Sequence, residues 1–175
     1  MNYAVIKKTD VANGIGIRVS LFVSGCTHRC KGCFNSEAWD FGYGRVYTEE
    51  TKREIMDALK HPYIRGFSIL GGEPFEPENR LTVLDIARSV REAYPDKDVW
   101  CYTGYDYEKE LMEWIADGRT EVKELLEQID VLVDGEFIEE RKNLRLPFRG
   151  SENQRIIDVK ASLASGRLIL LDAFT

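Results

Sequence analysis

Apolar and β-branched residues fall into short runs along this chain, bounded by Gly, Pro or Asp. The runs are residues 17–24 (IRVSLFVS), 67–70 (FSIL), 99–103 (VWCYT), 131–133 (VLV), 155–159 (RIIDV) and 167–171 (RLILL). Runs this short and this apolar predict buried strands. Between several of them the apolar period changes to that of a helix. Thr48 stands as a cap before residues 49–60, Ile86 and Val90 lie four apart within 77–94, and residues 106–115 and 120–128 complete the helical set, with Gly118 as a stop between the last two. Strand and helix therefore alternate, which predicts an α/β fold: a mostly parallel sheet with helices packed on its outside, either open or part of a barrel. No repeat, low-complexity tract or linker interrupts the 175 residues, so a single domain over 1–175 is expected.

In βα architectures the chemistry gathers in the loops after the carboxyl ends of the strands. Two conspicuous segments fall there. One, residues 23–35 (VSGCTHRCKGCFN), follows the first predicted strand and holds three of the four cysteines; the other, Gly71 to Pro74 (GGEP), follows the second. Both therefore belong to one rim.

Composition narrows the function. With 43% hydrophobic and 31% charged residues the chain has the make-up of a folded globular protein. Its 24 Lys and Arg against 30 Asp and Glu leave a net charge of -6, with no dense basic run to follow a phosphate backbone, so no nucleic-acid partner is expected. The opening MNYAVIKKTD has no apolar signal core, and nowhere does an apolar stretch approach the ~20 residues that span a bilayer. A cytoplasmic protein without membrane contact is expected, and in that reducing setting clustered cysteines bind metal or do redox chemistry more often than they form disulfides.

Cys26, Cys30 and Cys33, spaced C-x3-C-x2-C, let three thiolates converge on one small inorganic body. A structural zinc site needs four ligands in closed tetrahedral geometry. Only His28, which would crowd the loop, or Cys101, which reads as a small buried hydrophobe within VWCYT, is left to supply the fourth. Three thiolates on a four-iron cluster instead leave one iron without a protein ligand, an opening for substrate. A non-catalytic zinc-binding interaction module stays as the alternative from another class.

C-x3-C-x2-C after the first strand with GGEP after the next resembles the radical S-adenosylmethionine (SAM) superfamily. Further segments narrow the likeness: VANGIGIR (residues 11–18), LFVSGC, KGC followed by FN, Trp39, TGY (103–105), DVLVDGEF (130–137) and FRGSENQR (148–155). From Asn13 to about Arg155 the chain is similar to the activating proteins of anaerobic (class III) ribonucleotide reductase. Gly32 stands before the last cysteine, where the superfamily often has an aromatic; the aromatic here is Phe34, as in the activating proteins.

The resemblance implies a partial (β/α) barrel of the radical SAM type. Cys26, Cys30 and Cys33 would hold a [4Fe-4S] cluster whose open iron is chelated by SAM, and an electron passed to the sulfonium would yield methionine and a 5′-deoxyadenosyl radical. That radical would take a hydrogen from one glycine of the reductase catalytic subunit, leaving a glycyl radical, with a low-potential donor such as flavodoxin supplying the electron. No side chain is then needed as a catalytic group beyond cluster and SAM. Activation of another glycyl radical enzyme, of the pyruvate formate-lyase type, and action on a small molecule are the neighbouring readings; the TGY, DVLVDGEF and GSENQR matches argue against both.

The same likeness distributes cofactor-binding roles. Gly71 and Gly72 allow close backbone approach, Pro74 stiffens the turn, and Glu73 is placed to accept a charge-assisted bond from the SAM ammonium. Gly32, Cys33 and Phe34 would lie along the adenosine, with the Phe34 ring on the adenine or else in the core. Thr103 either bonds the ribose or caps the turn that follows it. Asp134 and Gly135 read as a turn, Asn13, Gly14 and Gly16 as another, and Trp39 as a core residue or a shield for the cluster. Residues 150–155 contact SAM or an incoming peptide, or simply close the sheet. Little chain follows Arg155 to roof the site, so the partner's glycine loop is expected to complete it.

Overall fold

The computed structural model describes residues 1–174. A seven-stranded mixed sheet forms its centre: β1 (Asn2–Asp10), β2 (Arg18–Val23), β3 (Arg45–Val46), β4 (Gly66–Gly71), β5 (Asp98–Tyr102), β6 (Val131–Asp134) and β7 (Arg155–Asp158). The order across the sheet is β3-β1-β2-β4-β5-β6-β7. The middle four strands, β2, β4, β5 and β6, run parallel. Both margins are antiparallel, with β1 pairing β2 and β3 on one side and β7 pairing β6 on the other.

Five helices join the strands: α1 (Glu49–Leu59), α2 (Pro77–Ala93), α3 (Met112–Ala116), α4 (Thr120–Gln128) and α5 (Val159–Ser165). Thr48 and Thr51 form a reciprocal capping box at the start of α1, whose buried Thr51, Ile55, Ala58 and Leu59 make one stripe. Pro77 opens α2 at a position where its missing N–H costs nothing. The helices pack on one face of the sheet. Ile55, Val83, Ile86, Leu125 and Val159 meet Val19, Leu21, Ile69, Val99 and Cys101 there in the larger core. The other face carries a smaller cluster of Trp100, Val131, Val133 and Ile156, covered by Phe148, Leu171 and Phe174. Every residue of β2 is buried, as expected for a central parallel strand covered on both sides.

Three differences from the sequence reading have physical causes. β1 and β3 carry no continuous apolar run: β1 lies second from the sheet edge, and Lys7 and Lys8 keep it half solvated. The helix expected over 106–115 divides into a π-helical turn, Tyr107–Leu111, and the short α3. Residues 167–171 do not extend into a full strand; they touch β7 through one bridge, Ile157 to Leu170, flanked by backbone bonds from Asp158 N to Ile169 O and Leu171 N to Ile156 O. Among the described residues no helix is long and apolar enough to cross a membrane.

Candidate functional site

The four parallel strands end level with one another. Val23 lies opposite Gly71, and Tyr102 opposite Val133, so the loops that follow β2, β4, β5 and β6 meet on one rim. A cavity of about 550 Å³ opens there, and Cys26, Cys30 and Cys33 all line it. Each of the three cysteines is half-buried and free, while Cys101 is fully buried in the larger core.

Backbone bonds fasten the cysteine loop to the GGEP turn. Gly72 N donates to Val23 O at 2.7 Å and Glu73 N to Gly25 O at 2.8 Å. Close approach explains the two glycines: Gly71 has φ +109, and a Cβ on Gly72 would stand 2.6 Å from Gly25 O. Cys26 N in turn donates to Trp39 O at 3.2 Å, which brings Trp39 into the cavity wall.

Of the residues singled out in the sequence, Phe34, Gly71, Gly72, Glu73 and Thr103 line the cavity with the cysteines, as do Asn13, Trp39, Gly135, Gly150 and Gln154. Phe34 is 65% exposed, 5.5 Å from Phe137, with Lys142 over its ring, so it is a rim residue and not part of the core. Gly32 does not line the cavity and sits against the Glu139 side chain. Asp134 is buried, paired with Arg155 and accepting from Tyr107 N, which makes it a tie between loops. Gln154 closes the 150–155 segment on itself, its Oε1 accepting from Gly150 N and Ser151 N and its Nε2 donating to Gly135 O.

Glu73 is 1% exposed, and protein donors occupy its carboxylate. Oε1 accepts from Phe75 N and from Thr103 Oγ1, both at 2.8 Å. Oε2 accepts from Gly104 N at 2.7 Å and bonds His28 Nε2 at 3.1 Å. The Thr103 hydroxyl also accepts from Tyr105 N. Burial disfavours a charged His28, but the bonds and charges of Glu73 and then Glu136 outweigh it and raise the imidazole pKa to about 9.

Burial, reinforced by the charge of Glu73, pushes the Cys26 thiol up to about 12, and burial also raises Cys30. Both are protonated at neutral pH, so loading a metal cluster releases protons. Three soft sulfur donors on one cavity suit iron-sulfur ligation. Among the described residues no three Cys, His, Asp or Glu converge on a single-ion point, and a cluster that takes each cysteine on a separate iron makes no such demand. The Trp39 Nε1, the Tyr102 hydroxyl and the Arg149 Nε, all of residues on the cavity wall, are buried without a hydrogen-bond partner. Buried polar groups are normally satisfied, so three orphans around one cavity fit a polar guest. Sequence reading passed over Tyr102 because it stands inside an apolar run.

Residues 12–157 match the family model described as a 4Fe-4S single cluster domain. The chain is 44% identical over 158 residues to the anaerobic ribonucleoside-triphosphate reductase-activating protein of Vibrio cholerae, covering 89% of this chain and 97% of that relative. The chain belongs to the family of these activating proteins. Relatives of the same name from Enterobacteria phage T4 and Escherichia coli K12 are 37% and 36% identical, covering 89% and 88% of this chain and 93% and 96% of their own lengths. The three-cysteine loop that lines the cavity lies within the residues matched by the 4Fe-4S family model.

Proposed function

We propose that this chain is a radical SAM activating enzyme that takes a hydrogen atom from a glycine of the anaerobic ribonucleotide reductase catalytic subunit and leaves a glycyl radical there. One observation carries the reading: three free cysteines and the GGEP turn share the wall of one cavity, in a chain 36% to 44% identical to proteins named for activating that reductase.

Cys26, Cys30 and Cys33 are the ligands for a [4Fe-4S] cluster. A cluster held there would supply the one-electron reduction that splits SAM to methionine, with the hydrogen taken from the glycine ending in 5′-deoxyadenosine. The chain's own part is placement and exclusion of water. Gly71 and Gly72 bring bare backbone to the cavity wall for the methionine end, while Leu70, Val133 and Phe148 supply apolar wall. Phe34, exposed on the rim beside Cys33, is available to stack on adenine. The Trp39 and Tyr102 donors remain for polar atoms of the bound cofactor.

Phe34 and the 82% exposed Leu144 flank the opening, and the reductase's glycine loop closes the site against them. The sheet, on this reading, is the arc of a partial barrel of the radical SAM type within a single domain over 1–175, whose last residue, Thr175, lies outside the described residues. A low-potential donor such as flavodoxin supplies the electron, and the reaction belongs in the cytoplasm.

The test is isotopic. Reductase carrying α-deuterated glycine is incubated anaerobically with the reconstituted protein, SAM and reductant. Deuterium is expected in the 5′-deoxyadenosine released; unlabelled 5′-deoxyadenosine formed at an undiminished rate contradicts the substrate assignment.

A further inference from the structure

We propose that Glu73 and Glu76 form a carboxylate clamp on the cysteine loop, and that His28 is the positioning residue through which the clamp sets the loop against the GGEP backbone. The inference rests on the function proposed above and adds to it His28 and Glu76, which the cluster and SAM do not account for.

His28 touches the loops after all four parallel strands. It sits two residues beyond Cys26, in the loop after β2, with its side chain 8% exposed. Nε2 reaches Glu73 in the loop after β4, at 3.1 Å, and Nδ1 reaches Glu136 in the loop after β6, at 2.9 Å. The loop after β5 forms the floor: a Cβ on Gly104 would stand 2.6 Å from the imidazole, and the Tyr105 ring packs edge-on with centroids 4.3 Å apart. Glu76, 3% exposed, grips the residue beside His28, taking Thr27 N at 2.7 Å and Thr27 Oγ1 at 2.5 Å on one oxygen. Asn79 completes the seam, its Nδ2 donating to Ser24 O and Glu73 O, both at 3.0 Å.

A carboxylate offers about four acceptor positions. Those of Glu73 are taken by Phe75 N, Thr103 Oγ1, Gly104 N and His28 Nε2, so its charge is spent on holding the rim together. A buried carboxylate stripped of one donor is costly, and the adjacent loops will shift to recover a partner. Loss of His28 therefore moves Cys26 and Cys30 relative to Gly71 and Gly72 without removing a sulfur. Iron still binds, but the reacting groups are misplaced, and a displacement of about 1 Å costs rate out of proportion to its size.

The experiment compares His28→Leu, His28→Gln and Glu76→Gln with the parent chain. In cluster-free protein, amide hydrogen exchange is read at Thr27 and Gly104. His28→Leu is expected to speed Gly104, and Glu76→Gln to speed Thr27, each by about tenfold, the scale of one charge-assisted bond. After anaerobic reconstitution, His28→Leu is expected to hold iron at the parent stoichiometry. With SAM bound, its reduced cluster should show an altered paramagnetic resonance spectrum, and its rate of SAM cleavage should fall by about 10- to 100-fold. His28→Gln, which restores an N–H toward Glu73, should recover the spectrum and most of the rate. Parent-like exchange, spectrum and rate in His28→Leu overturn the proposal, as does a His28→Gln variant no better than Leu. If His28→Leu does not fold, unchanged Thr27 exchange in Glu76→Gln overturns it. Failure of the parent to cleave SAM would sink the proposed function instead, while the exchange measurements still decide the clamp.

Discussion

Four cysteines of one chain have two fates, decided by where each falls relative to a strand end. Cys26, Cys30 and Cys33 follow β2 and line the cavity; Cys101 lies inside β5 at 0% exposure, surrounded by the larger core. Cys30→Ala is expected to lose bound iron and SAM cleavage while keeping its unfolding temperature. Cys101→Ala should keep both iron and cleavage and lose about 1 kcal/mol of stability through a small core void. Iron content and thermal unfolding of the two variants, measured side by side, check this. The cysteine spacing was legible because three free thiols in one short loop have few uses besides metal binding and redox chemistry. His28, Glu76 and Tyr102 were not, because their meaning lies in contacts across 45 or more positions, or in a hydroxyl left without a partner.

Secondary-structure elements are tied at their ends by polar residues, and Asp130, just before β6, ties three others to that strand. It accepts from Arg91 of α2 at 2.6 Å, from Lys160 of α5 and from Val99 N of β5. Burial alone would raise its pKa, but Lys160, Val99 N and Arg91 outweigh that and hold it below 3.8. Because the folded-state value is the lower one, the stabilisation is fully present above the unfolded value near 3.8 and is lost as pH falls through the folded value. Asp130→Asn is therefore expected to cost about 2 kcal/mol at neutral pH, and the gap from the parent should close progressively below pH 3.8. Urea unfolding of both chains across pH checks it. At the start of α1, Thr48→Ala should cost about 1 kcal/mol by removing the capping box, a drop of about 2–4 °C in thermal unfolding. The central parallel strands and the helices α1, α2 and α4 were legible from apolar runs, caps and period. β1 was not, since an antiparallel strand near the sheet edge mixes lysines with its buried residues, and 167–171 was over-read, since an apolar segment can lie along an edge with a single bridge.

For the molecule as a whole, the two hydrophobic cores form without the three cysteines of the candidate site, although Val133 and Phe148 of the smaller core also reach the cavity wall. Chelation of iron is therefore expected to abolish SAM cleavage while leaving far-ultraviolet circular dichroism and cooperative unfolding in place. A small metal-dependent fold would instead unfold with its metal. On the proposed function, that division, a buried α/β sheet below and a loop rim above, positions the cofactor and leaves the cavity mouth to the reductase. The decisive measurement is the paramagnetic resonance spectrum of the reductase catalytic subunit after anaerobic incubation with this protein, SAM and a low-potential reductant. A glycyl radical doublet that is absent with Cys30→Ala is the predicted result. Methionine released by cluster-loaded protein with no doublet on the reductase would contradict the account.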